Sequence, residues 1–172
     1  MISYFLPERG ESLNNLFMAK SRPPKKIIEH TREVLEFFTS LKKLYPKAFE
    51  DKVWKAIEIA INHHDYGKIN SRFQNIIYED MNLDARLPDI LDSEYKKAGV
   101  IQIPHGILSM FFIDYETVCQ ELGENIAKIV LMAVCYHHDR DMEISRRLLG
   151  KVVNEDLKQY LTEFASYLGL EN

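Results

Sequence analysis

The chain has 172 residues, with 46% hydrophobic and 28% charged content, which fits one globular domain with a single core. Its formal net charge of −4 excludes a uniformly basic nucleic-acid binder, so any such binding must use a local patch or bound cations. No apolar stretch approaches the roughly 20 residues of a membrane helix and the first residues do not resemble a signal peptide, so the cytoplasm is the expected compartment.

Residues 1–24 read as an irregular segment ending at Pro23-Pro24. A helix follows, with Ile27, His30, Thr31, Val34, Phe37, Phe38 and Leu41 at steps of three and four, and Tyr45-Pro46 ends it. A second helix starts near Asp51 and carries Trp54, Ile57, Ile61 and His64 on one stripe. Gly67 suits a left-handed turn closing that helix. A third, short helix covers Ser71–Tyr78. Residues 79–104 read as a long loop with at most one helical turn. Pro104 opens a fourth helix, in which His105, Leu108, Ser109 and Phe112 share a face, and Gly123 ends it. A fifth begins near Glu124, with Ile126, Ile129, Val130, Ala133, Val134 and His137 in one stripe, and two more are expected over 143–149 and 155–167. The fold class is all-α, a single helical domain over 1–172. Cys119 and Cys135 fall in apolar helical stretches and read as buried thiols.

The six histidines carry the functional signal. His30, His64, His105 and His137 each continue the apolar stripe of a different predicted helix, and Asp65 follows His64 directly. Buried imidazoles need partners, and four of them with a carboxylate make a ready metal site. Imidazole and carboxylate without thiolate suit a divalent transition metal: manganese, iron, cobalt, nickel or zinc. One Asp carboxylate has two oxygens and can bridge two ions, an arrangement used to hydrolyse phosphodiesters.

The string HHDYGKINSRFQ (63–74) resembles the HD-x-G-K-x-x-x-x-F-Q signature of the HD nuclease domain of type I CRISPR interference. AKSRPPKKIIEH (19–30), HGILS (105–109) and YHHD (136–139) resemble further elements of that family, in the same order. The resemblance implies an all-helical, metal-dependent nuclease acting on single-stranded DNA. It also implies partnership with a CRISPR helicase and a Cascade-type RNA-guided complex. No GxxxxGK[ST] motif occurs, so the motor would be a separate chain.

Position by position, the resemblance implies that Asp65 bridges two metals, with His64 and His30 on one and His105, His137 and His138 on the other. Lys68 would neutralise the scissile phosphate. His63 is not a ligand position of the family. The family's further downstream aspartate has no clear counterpart: Asp139 and Asp141 read as solvated loop charges, while Asp156 lies on a predicted helix and can turn inward. Basic residues flank the motifs, among them Lys20, Arg22, Lys25 and Lys26 before His30, Arg72 after Asp65 and Arg140 after the doublet. Lys26, Arg72 and Arg140 are the candidate backbone contacts, with Phe73 or Tyr136 available to stack a base. Two competing readings are an HD phosphohydrolase acting on nucleotides or cyclic nucleotides, and a non-catalytic helical module.

Overall fold

A computed structural model describes residues 17–84, 87–138 and 144–158. It is all-α apart from one hairpin of strands β1 (Met18–Ser21) and β2 (Pro24–Lys26). The first helices are α1 (Ile27–Leu44), α2 (Asp51–His63) and α3 (Ser71–Asp80), with a 3-10 turn at Tyr66–Ile69. Next come α4 (Asp92–Ala98), α5 (His105–Ser109), a 3-10 turn at Met110–Phe112, α6 (Tyr115–Leu122) and α7 (Glu124–Cys135). The last are α8 (Arg146–Lys151) and a π-helical turn, Val152–Leu157, that continues it. The chain divides into two compact units.

One unit comprises residues 28–67 and 104–141. Its core is a seam between α2 and α7, joined by α6: Ala56 packs with Val118, Leu122, Ala127, Val130 and Val134. Fully burying one such valine contributes about 1.5–3 kcal/mol. Trp54 of α2 is 1% exposed and meets Phe38 and Phe49 edge-on. The expected fourth helix is broken at Ile113, because Asp114 caps a new helix by accepting from the Thr117 amide. The α1 stripe is less buried than its pattern predicts: Phe37 is 72% exposed.

The other unit comprises residues 1–27, 68–103 and 142–172. The end of the stretch read as irregular forms the hairpin, and the stretch read as a long loop carries the two-turn helix α4, closed by Gly99 at φ +67°. Arg72 of α3 holds that region: its guanidinium donates to Asp89 (2.7 Å), Asp92 (2.9 Å) and the Ile101 carbonyl (2.9 Å), and it lies over the Tyr95 ring. Gln74, fully buried, accepts from the Met18 amide and donates to the Met18 and Lys68 carbonyls, which pins β1 to the start of α3.

Asp156 does turn inward. It is 5% exposed, and its two oxygens accept from the Ser71 amide (3.1 Å) and hydroxyl (2.7 Å), capping the first turn of α3. Burial raises its carboxyl to about 6 despite these bonds. The group therefore takes up protons more readily folded than unfolded, so its contribution is greatest below the unfolded value near 4 and is lost as pH rises through about 6. Relative to Asp156→Asn, the wild type is expected to lose about 2–3 kcal/mol of stability between pH 4 and 8, read from urea unfolding at a series of pH values. Parallel pH profiles for the two proteins would refute this.

Candidate metal centre

Every site histidine comes from residues 28–67 or 104–138, hence from a single unit. His30 lies one turn into α1, and His105 is the first residue of α5. His64 and His137 stand just beyond the C-termini of α2 and α7, where the last helical carbonyls lack intrahelical partners. His64 Nδ1 lies 2.7 Å from the Ile61 carbonyl and His137 Nδ1 lies 2.6 Å from the Val134 carbonyl. A carbonyl only accepts, so each Nδ1 carries the proton and each Nε2 keeps its lone pair.

These nitrogens converge on Asp65, which is 1% exposed. Its Oδ2 lies 3.5 Å from His64 Nε2 and 3.6 Å from His30 Nε2. Its Oδ1 lies 3.4 Å from His105 Nε2 and 3.7 Å from His137 Nε2. His105 and His137 face each other through their Nε2 atoms at 3.0 Å, and the His138 ring lies tilted beside His137, with the ring centroids 4.2 Å apart. Two groups that could hold an ion result, His30–His64–Asp65 and Asp65–His105–His137–His138, with Asp65 common to both.

The residues fit divalent metal ions on their own chemistry. Asp65 Oδ1 is buried and accepts no hydrogen bond, while the Nε2 atoms of His105 and His137 lie 3.4 and 3.7 Å from it, and a carboxylate oxygen beside imidazole nitrogens is a donor set that suits a divalent ion. Burial lowers the pKa of His64, against the pull of Asp65, which keeps its ring neutral near pH 7 and its lone pair available.

The turn after Asp65 is held by α5. Ser109 Oγ donates to the His64 carbonyl (2.7 Å) and accepts from the Gly67 amide (2.8 Å). Gly67 does not take a left-handed conformation, contrary to its sequence reading; the positive-φ glycines among the described residues are Gly99 and Gly123. It is glycine because α5 crosses it: a Cβ there would overlap the His105 carbonyl oxygen and stand 2.6 Å from the Ser109 amide. Gly106 does the same against α7, where a Cβ would overlap the Cys135 carbonyl. The string HGILS marked Ser109 in the sequence but not Gly106, and only the packing gives the two their roles.

The other expected residues divide. Lys68 is 8% exposed, with its ammonium 5.7 Å over the Phe73 ring. Lys26 lies half-buried on β2. Arg72 is committed to Asp89 and Asp92, so it is not carried forward as a backbone contact. Arg140, Asp139 and Asp141 lie outside the described residues. His63 belongs to neither metal group: its Nδ1 bonds the Ile59 carbonyl and its ring meets Tyr66 edge-on. Cys119 and Cys135 are free thiols, the second buried.

Helices that bring histidines onto a buried aspartate following a histidine define a metal-binding domain of the HD class. Residues 24–168 match the family model described as Cas3, HD domain, and the chain belongs to that family of CRISPR-associated HD nucleases. No curated protein and no solved structure matched. Among the described residues no helix is long and apolar enough to cross a membrane.

Proposed function

We propose that the chain cleaves single-stranded DNA in type I CRISPR antiviral defence, in the cytoplasm, working with a CRISPR helicase and a Cascade-type RNA-guided complex. The observation carrying this reading is Asp65, whose two oxygens face two different histidine groups. Divalent ions held there would supply Lewis acidity to a phosphoryl oxygen and acidify a water near neutral pH. Asp65 would be shared by both ions, with His30 and His64 on its Oδ2 side and His105, His137 and His138 on its Oδ1 side. The carbonyls of Ile61 and Val134 orient two of these rings before any substrate arrives. Lys68 would offset phosphate charge. No group in this set reads a base edge, which favours cleavage without sequence preference.

A nucleotide phosphohydrolase would need polar groups for a base beside this centre. The cavity at His64 and His137, about 340 Å³, is otherwise lined by aliphatic side chains such as Val34, Ile57, Ile61 and Ile129. It offers a base edge little to bond, which favours the nuclease reading.

The test is cleavage of circular and linear single-stranded DNA with manganese or nickel, beside a panel of nucleotides and cyclic nucleotides. The wild type should cut DNA and leave the panel intact, and Asp65→Ala should cut nothing. Cleavage of the circle would establish endonuclease action. Hydrolysis of the panel alone would overturn the proposal.

A further inference from the structure

We infer that the β1–β2 hairpin is a binding site for the phosphate backbone of a DNA single strand, with Lys20 and Lys25 as a pincer and Arg22 at the turn. The inference rests on the reading of the chain as a DNA nuclease and names the element that holds the strand.

Residues 20–26 read KSRPPKK, four cations and no acid. Their pairing matters more than their number. Lys20 stands directly opposite Lys25 in the antiparallel register. Opposed residues leave the same face of the ribbon, with their Cβ atoms about 5 Å apart, and like charges so placed weaken a sheet. An anion between them turns that repulsion into attraction, and a phosphodiester is the anion that a single strand presents in series. Neighbouring residues leave opposite faces. Ser21, which donates to Asp80 at 3.3 Å, therefore puts that carboxylate on the other face from the two lysines. Lys26 likewise faces away from Lys25, so the pair identified by the register differs from the single residue that sequence proximity suggested.

The ribbon is also fixed in advance. Buried Gln74 brackets Met18 with two backbone hydrogen bonds, Ala19 is 4% exposed, and the Ile27 amide closes the hairpin on the Phe17 carbonyl at 2.9 Å. Binding thus orders little backbone, which favours affinity.

The test is the salt dependence of binding of a fluorescent single-stranded oligonucleotide by the full chain in EDTA, where no metal-dependent cleavage intervenes. Lys20→Gln/Lys25→Gln should flatten the slope of log K against log salt by about 0.7, because the pincer holds one phosphate and each neutralised phosphate contributes about 0.7. Lys43→Gln/Lys47→Gln, on exposed positions of the other unit, changes net charge equally and should leave the slope as it was. An abasic strand of the same length should compete as well as the parent strand, whereas inorganic phosphate should compete only weakly. The melting temperature of the double variant should match the wild type, which shows that the hairpin is folded. If the double variant instead melts early, Arg22→Gln alone decides, with an expected flattening of about 0.7.

A wild-type slope in these variants, an equal loss in the Lys43/Lys47 control, or competition only by strands that carry bases would overturn the hairpin site. Cutting that persists alongside lysine-independent binding would sink this inference and leave the nuclease proposal standing. Lysine-dependent binding without cutting by any metal would do the reverse.

Discussion

Asp65→Ala is expected to abolish tight divalent-metal binding and to lower any nuclease rate by about a thousandfold or more, roughly 4 kcal/mol of transition-state stabilisation. Asp65 is the common member of both groups, so its removal strips one ligand from each at once. Four imidazole nitrogens within 3.4–3.7 Å of its oxygens would then face one another with no anion between them. Metal analysis and thermal melts read this without reference to activity. Manganese at a thousand times its Kd should stabilise the wild type by about 4 kcal/mol. At this chain length that corresponds to about 10 °C in Tm. The variant should shift by no more than a degree or two. A variant that keeps wild-type metal content would remove Asp65 from the centre.

Among the described glycines, Gly67→Ala should be the most damaging substitution. The added carbon meets backbone atoms, the His105 carbonyl oxygen and the Ser109 amide, and neither can rotate aside as a side chain would. Helix α5 must retreat, breaking the two Ser109 hydrogen bonds that tie it to the His64–Gly67 turn and carrying His105 away from Asp65. Overpacking of this kind costs about 1–3 kcal/mol, and the lost bonds to buried partners add about 1 kcal/mol each. Urea unfolding should show the loss, and metal affinity should fall with it. Ser109→Ala should show a milder version, because it removes the tie without the overlap. Wild-type stability and metal content in Gly67→Ala would show that α5 does not bear on the turn.

Much of this was legible in the amino-acid order. Helix positions follow from local physics. Apolar steps of three and four place α1, α2 and α7, and Pro46 limits α1. Four histidines were legible for the same reason, since His30, His64, His105 and His137 each continue an apolar stripe and a buried imidazole needs a partner. Shorter elements were not. The hairpin depends on Gln74, more than fifty residues from the strand it holds, and α4 depends on Arg72 reaching across to Asp89 and Asp92. No periodicity reports bonds of that range.

The sequence by itself determined the composition of the site, because imidazoles and one carboxylate in this order leave few chemistries open. Tertiary structure alone decided which oxygen of Asp65 faces which histidines. It also decided that Asp156 caps α3, that Arg72 is spent on carboxylates, and that Lys20 opposes Lys25. The physical reason is range. Helix propensity and burial act over three or four residues and are written locally, whereas hydrogen bonds, ion pairs and backbone crossings join residues that only the folded chain brings within a few ångström.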